Sequence, residues 1–293
     1  MASIPRTIEL TDSRSLVSVE PTSRARAQTS AVRSSWSSLR SRLPGALLIG
    51  LFLGAWEVVP RLGLVEEAFL PPFSAVIRSG ILLARDGQLL NHVSESLTRS
   101  LLGFSLAIVF AVPLGLLIGW FRSVSNAIHP LLELFRCTPA LALLPVFILL
   151  LGIGESSKVA LVLYSCSWPI LLNTISSVRN VDPLLIKSAR TLGLSTPQLL
   201  WKVILPAAVP TMFVGFRLAG AISLVALVAA EMLGAKAGLG YLIQYSQYNF
   251  QIPQMYAGII GIAGLGVLFT QVLAAIERRF TGWKPPAETG DGG

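Results

Sequence analysis

The sequence predicts an all-α integral membrane protein of about six transmembrane helices, on three observations. Hydrophobic residues make up 53% of the 293 residues and charged residues only 13%, against about 25% charged in soluble domains. Mean hydropathy is +0.68. The apolar residues gather in blocks, near 46–59, 101–120, 141–153, 159–175, 207–233 and 255–276, several of which reach the ~20 residues a helix needs to cross the hydrocarbon. The first and third are shorter and borrow flanking residues, so the count is six, or five if the third does not cross.

Residues 1–43 are polar, rich in Ser and Arg, and too long for the charged front of a signal peptide. They read as a disordered tail, and Glu9, Asp12 and Glu20 argue against an organellar transit peptide, which avoids acids. A membrane domain follows over 44–280, and 281–293, with Pro285, Pro286, Gly290, Gly292 and Gly293, reads as a second disordered tail.

After the first span ends near Pro60, an outer loop is expected from Arg61 to Arg99, with Leu70-Pro71-Pro72-Phe73-Ser74 and a short interfacial helix within it. The second block carries Gly115 and Gly119, small residues at a spacing that lets a neighbouring backbone approach closely. Pro113, Pro139, Pro145 and Pro169 interrupt helical hydrogen bonding, tolerated in lipid where neighbouring helices or water satisfy the freed carbonyls. Cys137 and Cys166 lie in or beside apolar blocks and are expected to pack as small hydrophobes rather than form a bridge. His92 and His129 are isolated and expected in loops, with no metal-ligand or nucleophile cluster beside either.

The net charge of +8 is explained by orientation rather than by nucleic acid, because Lys and Arg mark cytoplasmic ends of spans. With the N-terminal tail inside, fifteen Lys and Arg fall on inner segments and six on outer ones, these being Arg61, Arg78, Arg85, Arg99, Lys158 and Lys236. Both termini are therefore expected in the cytoplasm.

Between the fourth and fifth blocks, residues 181–206 form an inner amphipathic segment. Asp182-Pro183 is a helix start, an N-cap acceptor followed by a residue preset for the first turn. Leu184, Leu185, Ser188, Ala189 and Leu192 share one face at helical spacing, while Lys187, Arg190 and Thr191 take the other. Gly193 permits the positive φ of a helix C-terminus, and Ser195 or Thr196 with Pro197 and Gln198 opens a second helix running to Pro206. The segment is either a helix-turn-helix exposed for another protein to grip or a loop lying on lipid headgroups.

Its spacing is Lys187-Ser188-Ala189, three residues, Gly193, nine residues, Val203, one residue, then Leu205-Pro206. This resembles the EAA loop of ATP-binding-cassette (ABC) importer permeases, matching at Ala189, Gly193, Leu205 and Pro206 and departing at Lys187 and Ser188, where the family has Glu and Ala. The resemblance runs from about 70 to 279 and is closest to permeases for nitrate, sulfonate and taurine uptake, carried by Leu70-Pro71-Pro72-Phe73-Ser74, Leu150-Leu151-Gly152-Ile153-Gly154, Pro169-Ile170-Leu171-Leu172-Asn173-Thr174, and Ala230-Glu231-Met232-Leu233-Gly234 leading to Gly238-Leu239-Gly240-Tyr241. It implies the type I ABC importer permease fold in a bacterial plasma (inner) membrane. It implies a permease dimer, two cytoplasmic ABC ATPase subunits and an extracytoplasmic solute-binding protein. Lys187, Ser188, Ala189, Arg190, Thr191, Leu192 and Gly193, with Leu205 and Pro206, would form the docking surface for the ATPase.

No Gly-x-x-x-x-Gly-Lys-Ser/Thr phosphate loop occurs in the sequence, so the chain reads as a transport subunit without its own ATPase site or cofactor. Charges inside spans are functional candidates. Arg217 is weighed between an anion-attracting place in the pathway and a structural pairing, and Glu231 between the pathway and a structural or gating role at the outer end. Glu133 and Arg136, where the third span begins, are weighed between pairing with each other at i,i+3 and a place in the pathway, and Asn173 between the pathway, a hydrogen bond across helices and simple packing. The solute expected is a small organic or inorganic anion such as a sulfonate, taurine or nitrate. The competing readings are an autonomous channel or ion-driven carrier, and a membrane scaffold.

Overall fold

The computed structural model describes residue 45 and residues 47–281; the expected tails lie outside them, except for Thr281, which ends the last helix. By internal contact the chain divides after Val58. Helix α1, over residues 47–61, begins in the first unit, where Phe52 and Trp56 meet edge-on at 6.1 Å.

The second unit is a helical body. Its elements are α2 (Phe73–Arg85), α3 (Gln88–Trp120), α4 (Arg122–Arg136), a 3-10 turn (Ala140–Leu143), α5 (Leu144–Leu151), α6 (Glu155–Arg179), α7 (Pro183–Thr191), α8 (Thr196–Leu199), a π-helical stretch (Leu200–Ile204), α9 (Leu205–Met232), α10 (Leu239–Tyr248) and α11 (Ile252–Thr281). Among the described residues, four helical stretches are long and apolar enough to cross a membrane: α3, α6, the run Thr196–Met232 and α11.

The structure corrects three expectations. The outer loop expected over residues 61–99 is shorter: it holds a short helix, α2, as expected, but α3 already starts at Gln88, so Arg99 sits within a 33-residue helix. Such a helix is about 50 Å long and outreaches a ~30 Å hydrocarbon layer. The third span is not one rod. The α4 helix and the Ala140–Leu151 stretch meet at an 86° bend, where Pro139 lacks the N–H that would carry a helix forward and disfavours helical backbone at Thr138. Finally, His92 and His129 lie on α3 and α4 rather than in loops.

The core is built by close helix approach. On α3, Gly103, Ala107, Ala111, Gly115 and Gly119 recur every four residues, forming a flat ridge. A Cβ on Gly103 would lie 2.6 Å from Val162, on Gly115 2.7 Å from Thr174, and on Gly119 2.9 Å from Val178. These pairs advance in step along both helices, so α3 and α6 run parallel. The connecting α4–α5 segment therefore returns the chain to the end from which α3 started. The α9 helix runs antiparallel to α6: Gly215 abuts Asn173, and farther along Cys166 Sγ reaches the Ala219 carbonyl at 3.5 Å. On its other side Gly220 of α9 faces Phe269 and Leu273 of α11, again leaving no room for a Cβ. Cys166 is buried in this core as expected, whereas Cys137 is exposed at the end of α4.

Candidate functional site

The segment linking α6 to α9 is shaped by its sequence. The Asp182 carboxylate accepts from the Leu184 N–H at 2.7 Å, satisfying one orphan donor of α7, and Pro183 fills the first helical position. The α7 helix stops because Gly193 takes φ +77°, which lets the Leu194 N–H reach back to the Ala189 carbonyl at 3.3 Å and the Gly193 N–H to Arg190 at 3.0 Å. Ser195 and Gln198 then form a capping box that starts α8.

The second helix does not end at Pro206 as the sequence suggested. It passes through the π stretch into α9, giving one continuous 37-residue run from Thr196 to Met232. Pro206 falls two residues past the π stretch, so its missing N–H coincides with the break in the regular i→i−4 ladder.

The expected apolar face of α7 is for the most part left uncovered within this chain. Of its five members only Ala189 is buried, at 6% exposure, seated with Val181, Leu199, Ile204, Ala208 and Met212 and against Ile186. Leu184 (68%), Leu192 (79%) and, on the π stretch, Trp201 (65%) are left uncovered by the rest of the chain. Lys187, Ser188, Arg190, Thr191 and Gly193 are exposed as well, Pro206 likewise, and Leu205 is half-buried. A nine-residue helix anchored through one turn can hide only a narrow stripe, so its remaining leucines form an apolar patch with basic residues between them. Such patches mark contact surfaces.

A second constellation lies at the far ends of α3 and α9. Glu231 is fully buried on α9. Its carboxylate accepts from Arg99 Nη1 at 2.8 Å, from the Ser96 hydroxyl at 2.8 and 2.9 Å, and from the Gly240 N–H at 2.8 Å. Arg99 Nη1 also reaches the Ala237 carbonyl at 2.7 Å. The rest of its fork bonds Glu155 of α6, at 3.0 Å through Nη2 and more closely through Nε, and Glu95 one turn earlier at 3.1 Å. The Leu239 N–H donates to Ser96 at 2.8 Å and the Gly238 N–H to His92 Nδ1 at 3.1 Å. Burying a charge is tolerable only when it is paired and fully hydrogen-bonded, and Glu231 is.

Glycine is required here. Gly238 has φ +121°, and a Cβ on it would lie 2.3 Å from a Glu231 oxygen, while one on Gly240 would lie 2.6 Å from the Val228 carbonyl. The Gly-Leu-Gly run wraps its backbone around the carboxylate. Sequence reasoning singled out Glu231 but missed Arg99, Glu155 and Ser96, because Arg99 was placed in a loop. The signal available was Glu95 four residues ahead of Arg99, a helical pair.

The remaining candidates are apart from this cluster. Arg217 of α9 pairs with Glu277 of α11 at 3.1 Å. Asn173 donates to the Pro169 carbonyl of its own helix at 2.8 Å and packs on Gly215. Arg136 and Glu133 pair at 2.7 Å on an exposed turn of α4.

A family model described as "Binding-protein-dependent transport system inner membrane component" matches residues 111–282. The chain is 34% identical to the taurine transport system permease protein TauC of Escherichia coli, over 80% of this chain and 87% of that protein. It is also 34% identical to the putative aliphatic sulfonates transport permease protein SsuC of Bacillus subtilis, covering 83% and 88%. The nitrate import permease protein NrtB of Synechocystis matches at 34% over 64% of this chain and 68% of its own length. Among solved structures, an inward-facing MetNI methionine ABC transporter superposes with TM-score 0.58 at 20% identity, over 66% of this chain and 96% of that one. At that identity the likeness speaks for the fold.

Proposed function

The chain belongs to the family of binding-protein-dependent transport system inner membrane components, and from that premise we propose that residues 181–206 are the surface through which an ATPase subunit drives it. Family membership makes it a multi-pass permease subunit of an ABC importer in the plasma membrane, with the type I permease fold. The autonomous channel or carrier reading finds no support there. This family works with a separate ATPase and a substrate-binding protein.

One observation carries the docking assignment: Leu184, Leu192 and Trp201 stay exposed beside Lys187 and Arg190, on a helix fixed by the buried Ala189 and the Gly193 turn. The run from Thr196 to Met232, on which α7 is seated through Ala189, continues into the membrane core without a break. A push on α7 is thereby delivered to α9 as a lever rather than absorbed in a loop. Lys187 in place of the family Glu gives this surface a basic character, which favours an acidic ATPase groove.

Both termini are assigned to the cytoplasm. Removing Arg99 from the outer count widens the excess of Lys and Arg on the inner segments. The solute is assigned as a small oxyanion, a sulfonate, taurine or nitrate, on the names of the relatives. The permease is assigned as a homodimer with the pathway between its copies. Glu231 is assigned to the outer gate, where its buried cluster ties α3, α6 and α9 to the turn before α10. Arg217 and Asn173 are assigned to bracing α9 against α11 and α6.

The test is co-purification of the ATPase with Leu192→Asp and Gly193→Pro permeases. Leu192 is exposed, so its variant keeps the fold, and the expected result is loss of the ATPase with permease abundance unchanged. Retention of the ATPase by both variants overturns the docking assignment.

A further inference from the structure

A cavity of about 390 Å³ opens where α3 ends, α4 begins and α6 ends, immediately ahead of the α7 loop. Arg122, Ser125, Asn126 and His129 of α4 and Arg179 of α6 line it, with Trp120 of α3. Its wall contains two guanidinium groups and no carboxylate. Among the described residues neither arginine forms an ion pair, in contrast to Arg99, Arg136 and Arg217. Arg179 donates instead to the hydroxyl of Ser125, a buried side chain, which draws its fork into the cavity wall and ties α6 to α4.

Two unneutralised cations facing one cavity repel each other, and an anion between them removes that cost. Guanidinium forks match oxyanions geometrically and bind them through paired charge-assisted hydrogen bonds. The Asn126 amide and the His129 ring add donors in the same wall. Trp120 connects the cavity to the loop, because it also packs against the cluster of Val178, Val181, Ala189 and Leu199 on which α7 is seated.

We propose that this cavity binds an oxyanion group bridged by Arg122 and Arg179, and that its occupancy stiffens the seat of α7. Two sources share that chemistry: the headgroup of an acidic phospholipid in the inner leaflet, and a free anion in the cytoplasm, including imported solute. Binding stands on the cavity alone. Its effect on ATP turnover rests on the docking assignment above.

The experiment uses the purified permease–ATPase complex. In neutral detergent its thermal midpoint is followed against sodium sulfate, with ionic strength held constant by chloride. In nanodiscs it is followed in phosphatidylcholine with and without phosphatidylglycerol. Arg122→Gln, Arg179→Gln and their double variant are compared with an Arg278→Gln/Arg279→Gln double variant, which removes the same charge from the exposed end of α11. A saturable rise with sulfate, weakened about tenfold by either single change, as expected for one lost charge-assisted contact, and unaffected at 278 and 279, identifies a free-anion site. A rise with phosphatidylglycerol alone, with the same dependence on residues 122 and 179, identifies a headgroup site. No saturable response to either, or equal losses in the α11 variant, overturns the proposal. The single variants decide the matter if the double variant does not fold. ATPase rate is read in parallel: binding without a change in turnover overturns the stiffening of α7, whereas failure of the docking assignment shows in co-purification.

Discussion

Arg99 of α3 and Glu231 of α9, 132 positions apart in sequence, meet at 2.8 Å with the carboxylate wholly shielded from solvent. Their requirements are unequal. Arg99 keeps Glu155 and Glu95 as partners, both about half exposed, whereas the Glu231 side chain has no exposure to water. Arg99→Leu therefore strands a buried carboxylate and is expected to cost about 3–5 kcal/mol. Glu231→Gln keeps one acceptor and the shape while removing the buried charge, and is expected to cost less. Adding Glu231→Gln to Arg99→Leu is expected to restore part of the loss. Thermal midpoints of the four proteins in one detergent check the order; a double variant no better than Arg99→Leu contradicts it.

Gly238→Ala is expected to destabilise the protein, by about 1–3 kcal/mol for the left-handed backbone alone, with a further loss from contact with the Glu231 carboxylate. Gly234→Ala, whose Cβ would find nothing nearer than 3.9 Å, is the matched control and is expected to be nearly silent. Thermal unfolding of the two separates them.

The α3 ridge predicts a similar contrast. Gly115→Val drives a side chain into Thr174 at a parallel helix crossing and is expected to cost about 1–3 kcal/mol or more. Gly264→Val, with open space around its Cβ position, is expected to leave the yield of folded protein in membranes unchanged.

The helical class was legible because apolar blocks of spanning length have few alternatives, and the α7 loop because Asp182-Pro183 and Gly193 carry local signals that need no tertiary context. The Arg99 cluster was not legible. A run such as Ser94-Glu95-Ser96 ahead of Arg99 reads as loop until its partners, Glu155 and Glu231, are known to neutralise it from other helices. For a related reason the α7 leucines were legible as a face but not as a buried or an open one. Helical periodicity finds an apolar face, but whether that face meets this chain or another depends on packing beyond the segment.

The proposed cytoplasmic placement of α7 also predicts a pattern in labelling. In a Cys137→Ser background, needed because Cys137 is itself exposed, Leu192→Cys is expected to react with a membrane-impermeant maleimide in inside-out vesicles only. Tyr248→Cys, on the exposed end of α10, is expected to react in right-side-out vesicles only.

The central claim is that a separate ATPase grips α7, and site-directed cross-linking tests it most directly. With Leu192→Cys in the Cys137→Ser permease and single cysteines placed around the ATPase groove, the account predicts a cross-linked permease–ATPase pair whose yield changes on adding ATP. Absence of any such product at Leu192, with cross-links to the ATPase forming instead from Tyr248→Cys, would contradict it.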